Sequence, residues 1–280
     1  MNIQISDVLI PVAIFAALGL AFGIILAVAS KIFEVKVDER IPAVCDVLPG
    51  ANCGGCGFSG CAALAEAIVK GEASPNACAV GGNECAKKIG EIMGVEVKET
   101  LPMRAQVMCA GCGDKAKRKY FYTGAQDCIS ASKTSGGDKL CPAGCLGFGT
   151  CAAACVFGAI TVVDKVAHID PKKCRACGTC VALCPKSIIK MVPASAPVFV
   201  ECSSTQKGVD TRKACDVGCI GCKLCEKACE FDAIHVTNNL ASVDYAKCTG
   251  CGKCAEKCPR KIIFNKNGKV VINEPETAKV

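Results

Sequence analysis

The stretch from Cys219 to Cys229 reads CIGCKLCEKAC, and the stretch from Cys248 to Cys258 reads CTGCGKCAEKC. Both have the spacing C-x2-C-x2-C-x3-C, in which three cysteines bind one 4Fe-4S cluster and the fourth crosses to a second cluster. A zinc site binds four ligands and has no use for seven cysteines spaced so tightly. The two stretches predict a pair of 4Fe-4S clusters with two ligand sets, Cys219, Cys222, Cys225 and Cys258, and Cys248, Cys251, Cys254 and Cys229.

The module that contains these stretches occurs twice. Every cysteine between residues 128 and 184 recurs 74 residues later, and other positions, such as Pro185 and Pro259, match at the same offset. A period this strict indicates two tandem copies of one small α+β domain of the bacterial ferredoxin type. By the same crossing rule, one cluster of the first copy is predicted to bind four cysteines, Cys155, Cys174, Cys177 and Cys180.

The other cluster of the first copy lacks one cysteine, because Phe148 stands at the position of Cys222. Three expected ligands remain, Cys145, Cys151 and Cys184. Cys141 lies in the flexible stretch CPAGC, and we expect it to supply the fourth ligand. Its repeat counterpart, Cys215, has no such vacancy to fill, so a three-iron cluster at the Phe148 position is the alternative.

A further group of cysteines precedes the repeat, beginning in LPGANCGGCGFSGC at residues 48–61. Its glycines let the backbone wrap closely around a bulky group, and Ser59 is expected to cap a helix that runs to Lys70. Zinc is the alternative metal for this module taken alone. The predicted ligands of its single 4Fe-4S cluster are Cys53, Cys56, Cys61 and Cys78.

Seven of the 27 cysteines lie outside these sets. Cys45 and Cys85 flank the first module and are interpreted as ordinary buried thiols. The sequence does not choose four ligands among the other five, so we expect five clusters and a sixth with open ligand assignment. The candidates for that sixth cluster are Cys109, Cys112, Cys128, Cys202 and Cys215.

The N-terminal segment is apolar. Residues 8–29 carry no charge, and as a helix these 22 residues would span about 33 Å, roughly a bilayer core. A cleaved signal peptide is the alternative, but its first residues would carry Lys or Arg rather than Asp7. Lys31, Lys36 and Arg40 follow the segment, and the positive-inside rule then places the iron-sulfur domains in the cytoplasm. We therefore expect a single-pass protein of the cytoplasmic (inner) membrane.

These patterns divide the chain into five regions. The predicted order is a transmembrane anchor (1–30), a single-cluster domain (31–90), a linker with extra cysteines (91–130), and two ferredoxin-like domains (131–200 and 201–280).

Composition and charge exclude several functions. No secretory signal precedes the cysteines, so metal thiolates in a reducing compartment fit better than disulfides. The formal charge of +7 would fall to roughly −5 with six clusters on thiolates, so no nucleic-acid partner is expected. No nucleotide-binding motif or Ser/His/Asp set occurs, and no catalytic residue is nominated. His168 and His235 lie in strand-like stretches and are interpreted as strand residues.

The order of apolar helix, LPGANCGGCGFSGC and ferredoxin modules resembles that of the B subunits of Rnf complexes. Rnf complexes are membrane-bound ferredoxin:NAD oxidoreductases that export Na⁺ or H⁺. The resemblance covers the whole chain and implies that Cys53, Cys56, Cys61 and Cys78 are ligands. It also implies electron transfer from soluble ferredoxin, in a complex whose other subunits hold flavin and nicotinamide. Val156 and Glu230 depart from the family pattern, in which proline usually follows the fourth ferredoxin cysteine.

Two other functions remain open from the sequence. One is a membrane-anchored polyferredoxin that relays electrons to another reductase without ion pumping, and the other is a zinc-built scaffold. Soluble ferredoxins tend to be acidic, so a basic landing surface is expected on this chain. Two runs could supply it, Lys115, Lys117, Arg118 and Lys119, or Lys253, Lys257, Arg260 and Lys261.

Overall fold

The N-terminal helix is separate from the cysteine-rich body. The computed structural model describes residues 5–32 and 38–265, with side chains from residue 14 onward. Helix α1 covers Ile5–Ile32, and its segment Ile14–Ile32 is long and apolar enough to cross a membrane. None of that segment is buried against the protein, as expected for a helix whose apolar side chains face lipid. Lys36, which enters the charge argument above, lies outside the described residues.

Three helices form the first cysteine module, α2 (Arg40–Val47), α3 (Cys61–Val69) and α4 (Gly82–Met93). They pack around a small apolar core that includes Val44, Leu64, Ile68 and Ile89. Each fully buried Leu or Ile contributes about 1.5–3 kcal/mol. This core fixes the start of α3, where Cys61 lies.

The first ferredoxin-like domain contains two short helices and two pairs of antiparallel strands. The helices are α6 (Thr150–Ala153) and α7 (Thr179–Leu183). Strands β2 (Ile160–Val163) and β3 (Val166–Ile169) form a hairpin, and β1 (Met103–Val107) pairs with β4 (Ile189–Pro193). Strand β1 comes from the region predicted as a linker, so the domain begins earlier in the sequence than residue 131.

The second ferredoxin-like domain repeats this arrangement. It contains α9 (Leu224–Lys227), the hairpin of β6 (Ile234–Thr237) and β7 (Leu240–Val243), and α10 (Lys253–Glu256). Each of these elements begins 74 residues after its counterpart in the first domain. Strand β5 (Val198–Val200) pairs with β8 (Ile263–Asn265), so β5 belongs to this domain rather than to the first, where the predicted boundary had placed it.

The segment between β1 and α6 lies against both domains. It contains the short helix α5 (Cys128–Lys133), and the corresponding region of the second domain contains α8 (Gly208–Ala214). Isolated antiparallel bridges join Ala116 to Cys215 and Arg118 to Lys139. The two domains are therefore connected by backbone pairing as well as by the chain itself.

Candidate iron-sulfur cluster sites

The structure gathers the cysteines into groups of four around small cavities. Five of the six groups line cavities of similar size. We number the groups in the order in which they adjoin one another. The groups with a cavity are site 1 (Cys53, Cys56, Cys61, Cys78), site 3 (Cys128, Cys145, Cys151, Cys184), site 4 (Cys109, Cys141, Cys202, Cys215), site 5 (Cys219, Cys222, Cys225, Cys258) and site 6 (Cys229, Cys248, Cys251, Cys254).

Site 2 consists of Cys155, Cys174, Cys177 and Cys180. Burial, together with the neighbouring Cys177, Cys174 and Cys155, raises the pKa of Cys180 to about 11. The repeat-related Cys254 of site 6 has the same surroundings, since burial and three partner cysteines of that site raise its pKa. The four cysteines of site 2 therefore lie close together, as the crossing rule predicts.

Site 1 is built on the start of α3. The Cys61 N–H donates to Asn52 Oδ1 at 2.8 Å, so Asn52 rather than the predicted Ser59 caps this helix end. Gly60 permits the contact, because a Cβ there would lie 2.9 Å from the same oxygen. Glycine at position 54 adopts a φ of +68°, a conformation that L side chains rarely adopt. The loop can therefore curve around the cavity.

At site 3, the fourth cysteine in the structure is not the one expected from the sequence. Cys128, not Cys141, lines the cavity beside the three cysteines that remain near Phe148. Burial and the neighbouring thiols, Cys128 among them, raise the pKa of Cys151 to about 12. The sequence offered Cys128 only as a candidate for a sixth cluster.

Local hydrogen bonds explain why Cys128 reaches site 3. Asp127 caps α5 by accepting a hydrogen bond from the Ser130 N–H at 2.8 Å. The Cys128 N–H donates to Thr150 Oγ1 at 2.7 Å, which fixes the start of α5 beside α6 and its Cys151. An aspartate immediately before Cys128 is the sequence signal for this short helix.

Phe148 stands where the second copy has a cysteine ligand, and its ring packs against an aromatic side chain. Its ring meets Tyr122 edge to face, with centroids 5.3 Å apart, and the Lys165 ammonium lies 4.9 Å from its centroid. The loop is packed tightly here, since a Cβ at Gly147 would lie 2.4 Å from Lys165 Cα. Phe148 therefore stabilises the loop from which Cys145 and Cys151 reach the cavity.

Site 4 lies between the two ferredoxin-like domains. Cys141 is buried there beside its own repeat counterpart, Cys215, and the other two members are Cys109 and Cys202. This arrangement explains why both repeat positions carry cysteine although only the first copy has Phe148. The Arg260 guanidinium donates to the backbone oxygen of Cys215 at 2.7 Å and holds that segment in place.

Backbone N–H groups point at cysteine sulfurs within several sites. The Ala159 N–H donates to Cys155 Sγ at 3.4 Å, and its repeat counterpart Ala233 donates to Cys229 Sγ at 3.3 Å. The Gly81 N–H donates to Cys78 Sγ at 3.4 Å. Such hydrogen bonds stabilise thiolates and tune the reduction potential of a cluster bound to them.

Neighbouring sites are in direct contact. The Cys145 N–H of site 3 donates to Cys109 Sγ of site 4 at 3.4 Å, and the Cys219 N–H of site 5 donates to Cys202 Sγ of site 4 at 3.3 Å. The two donors are equivalent positions of the repeat. Site 4 is therefore connected to one site of each ferredoxin-like domain in the same way.

Sites 1 and 2 meet where the first module touches the first ferredoxin-like domain. A Cβ at Gly55 would lie only 2.0 Å from the Cys177 carbonyl oxygen, so glycine allows two backbones to approach there. Thr179 Oγ1 lies 3.4 Å from the Cys53 carbonyl oxygen, and Cys177 itself lines the cavity of site 1.

The donor sets fit a 4Fe-4S cluster. Within the described residues, no three His, Cys, Asp or Glu side chains come close enough to hold a single metal ion, as a zinc site requires. Thiols spaced around a cavity suit a larger group. Burial raises the pKa of Cys202 and Cys225 to about 12, so these thiols would release protons on binding iron.

Three cysteines lie outside the six groups. Cys112 packs against the core of the first ferredoxin-like domain, although its partner in the CxxC motif, Cys109, belongs to site 4. Cys85 is buried against Val47, and Cys45 is half-buried beside the same helical core. His168 and His235 lie in β3 and β6, as expected for strand residues.

Family models match the three iron-sulfur regions. An Fe-S cluster domain matches residues 48–80, a 4Fe-4S binding domain matches residues 167–190, and a 4Fe-4S dicluster domain matches residues 218–263. With the apolar α1, these domains define a membrane-anchored iron-sulfur protein of the electron-transfer class.

The curated relatives that identify the family are B subunits of ion-translocating complexes. That of the Na⁺-translocating ferredoxin:NAD⁺ oxidoreductase complex of Acetobacterium woodii is 47% identical over 93% of this chain and 78% of its own length. That of an ion-translocating oxidoreductase complex of Methanosarcina acetivorans is 46% identical over 92% and 98%. The counterpart from the proton-translocating ferredoxin:NAD⁺ oxidoreductase complex of Clostridium ljungdahlii is 42% identical over 91% of both chains. The chain belongs to the family of Rnf-complex B subunits, which confirms the expected resemblance.

Proposed function

We propose that this chain is the electron-transfer subunit of a membrane-bound, ion-translocating ferredoxin:NAD⁺ oxidoreductase and that it holds six 4Fe-4S clusters. The names of its relatives support the reaction, and the six groups of four cysteines support the cluster count. Bound clusters of this type supply one-electron carriers. The chain's own residues bind the clusters, exclude water from them and hold them at fixed separations.

The observation that carries this proposal is that the six sites adjoin one another without a gap. Gly55 brings site 1 against site 2, and Cys145 and Cys219 connect site 4 to sites 3 and 5. Within each ferredoxin-like domain, the crossing ligands Cys184 and Cys258 hold the paired sites together. A protein that only stores electrons does not need adjoining cluster sites, whereas a protein that relays electrons from one end to the other does.

We infer that soluble ferredoxin docks on the second ferredoxin-like domain. Cys222 and Cys251, in sites 5 and 6, are exposed, whereas the other cysteines are buried or half-buried. Lys257 and Lys261 are exposed nearby and form no ion pair within the described residues. A basic surface beside an exposed site raises the encounter rate with an acidic donor.

The other basic residues are less suited to docking. Lys253 pairs with Glu230, and Arg260 donates to backbone oxygens of Gly218 and Cys215. The run from Lys115 to Lys119 lies where the two domains pair, and its Arg118 is 3.8 Å from Asp138. These contacts give Lys253, Arg260 and Arg118 structural partners.

The opposite end of the relay lies near the membrane. Site 1 follows α1 most closely in sequence, so electrons that enter at site 5 or 6 leave through site 1 toward partner subunits in the bilayer. We infer from Lys31 and Arg40, which follow the apolar segment, that α1 is a single-pass anchor with the iron-sulfur domains on its cytoplasmic side. Flavin and nicotinamide then bind to other subunits of the complex.

The test is an anaerobic metal analysis combined with a ferredoxin assay. Six clusters predict about 24 iron and 24 sulfide per chain. A colourless protein, or about 12 iron or fewer, would refute the cluster assignment.

The docking surface is tested with Lys257→Gln/Lys261→Gln. This variant should be reduced more slowly by ferredoxin at low salt, where screening is weak, and equally fast by dithionite. Lys117→Gln/Lys119→Gln serves as the comparison. If only this second variant slows the ferredoxin reaction, docking is at the junction between the domains instead.

A further inference from the structure

Lys139 is a buried lysine at the junction of the two ferredoxin-like domains. Its exposed fraction is 2%. The ammonium donates to the Gly111 carbonyl oxygen at 2.7 Å and to the Lys165 carbonyl oxygen at 3.2 Å. No carboxylate lies within ion-pair distance of it in the range 38–265, and the adjacent Asp138 faces Arg118 instead. The ammonium is hydrogen-bonded, but its charge is not neutralised by an acidic side chain.

The surroundings of Lys139 are the backbone of site 4. Gly111, whose carbonyl oxygen accepts the hydrogen bond from the ammonium, is so close to the site that a Cβ there would lie 3.5 Å from Cys215 Sγ and 3.6 Å from Cys109 Sγ. On the other side, a Cβ at Gly144 would lie 3.2 Å from Lys139 Cδ and 3.2 Å from the Cys141 carbonyl oxygen. The side chain therefore lies against the loops that carry Cys109 and Cys141, two of the four cysteines.

A buried cation without a counter-ion is costly. A 4Fe-4S core of charge about +2 and its four thiolates together carry a charge of about −2. Because the Lys139 ammonium lies beside site 4, its positive charge would offset part of this negative charge. Reduction of the cluster adds one electron, which the donor ferredoxin gives up. Because the reduced cluster carries one more negative charge, a nearby cation stabilises it more than the oxidised cluster.

We propose that Lys139 sets the reduction potential of the cluster at site 4 and keeps it high enough to accept electrons from the second ferredoxin-like domain. This role rests on the proposed six-cluster relay. Site 4 is where the relay passes from one domain to the other, so its potential decides whether electrons cross that junction. Lys139 binds no iron itself and acts on the cluster only through the positive charge of its ammonium.

The repeat supplies a matched control. The residue at the equivalent position of the second copy is Lys213, which is exposed on α8. Lys213→Gln removes the same charge from the same repeat position without removing it from a buried site. Lys139→Gln keeps a hydrogen-bond donor and removes the charge, whereas Lys139→Arg keeps both.

The experiment is a redox titration of the anaerobically purified chain, followed by electron paramagnetic resonance, with iron and sulfide counted for each variant. In Lys139→Gln, we expect one midpoint to fall by about 59 mV, a tenfold change in a one-electron equilibrium. Lys139→Arg and Lys213→Gln should match the parent.

Each outcome decides between the possibilities. Lys139→Gln with full iron and unchanged midpoints would overturn the role of Lys139. Loss of four iron atoms from Lys139→Gln alone would also overturn it, because Lys139 would then be needed to bind the cluster rather than to set its reduction potential. Loss from both Lys139 variants would assign a packing role and overturn it. Fewer than six clusters in the parent would instead refute the proposed function.

Discussion

Cys128 and Cys141 provide a direct test of the cluster assignment, because the sequence and the structure disagree about them. The sequence favours Cys141 as the fourth ligand near Phe148. The structure places Cys128 in that cavity and Cys141 in the separate cavity between the domains. Replacement of both residues by alanine separates the two assignments.

The expected losses follow from the two cavities. If the residues bind separate clusters, each single variant damages one cluster and loses between about one and four iron atoms, depending on whether a three-iron cluster remains. The double variant should then affect two clusters and lose about the sum of the two single losses, because each residue binds a different cluster. If Cys128 and Cys141 served one site, the double variant would affect one cluster and lose at most its four iron atoms.

The assay is iron and sulfide content under anaerobic conditions, with electron paramagnetic resonance of the reduced protein to count the affected clusters. Cys112→Ala is the control, because Cys112 belongs to a CxxC motif but lies outside the six groups; it should keep full iron. A double variant whose loss equals that of a single variant would refute the separation of sites 3 and 4. An unchanged Cys128→Ala variant would refute Cys128 as a ligand.

Two further predictions concern the junctions between sites. In Gly55→Ala the added Cβ, 2.0 Å from the Cys177 oxygen, must move by about 1.4 Å to reach ordinary contact at 3.4 Å, at a typical overpacking cost of about 1–3 kcal/mol. We expect this variant to keep its full iron content, but with weaker magnetic coupling between the clusters of sites 1 and 2 and slower reduction of site 1 by ferredoxin. Unchanged coupling would contradict the close approach of the two sites. Cys215→Ser should damage site 4 and leave the signals of sites 5 and 6, and loss of either of those signals would contradict the grouping.

Some of the fold and the sites could be predicted because they depend on short-range spacing. The crossing rule gives sites 2, 5 and 6 as the structure groups them, since each of these sets is fixed by one turn and one returning cysteine. The 74-residue offset likewise predicts where equivalent helices and strands begin, because a repeated sequence forms the same local structure twice.

The rest depends on contacts between distant segments, which spacing does not encode. Cys128 reaches site 3 because Asp127 starts a short helix and Thr150 accepts a hydrogen bond from it. The predicted domain boundaries likewise did not include the pairing of β1 and β5 with strands far away in sequence. Ser59 is a good capping residue by type, but Asn52, nine positions before Cys61, supplies the cap.

Duplication itself accounts for site 4. In a single ferredoxin module, a cysteine at the position of Cys141 has no cluster to bind, because the two-cluster pattern is complete without it. Two copies placed side by side bring this position and its counterpart Cys215 into one cavity, where Cys109 and Cys202 complete a set of four. Because metal binding contributes to folding free energy, a cluster there would stabilise the contact between the domains and carry electrons across it at the same time. The same four cysteines can therefore both stabilise the contact between the domains and carry electrons across it. This explains why each copy has cysteines beyond those of the two-cluster pattern.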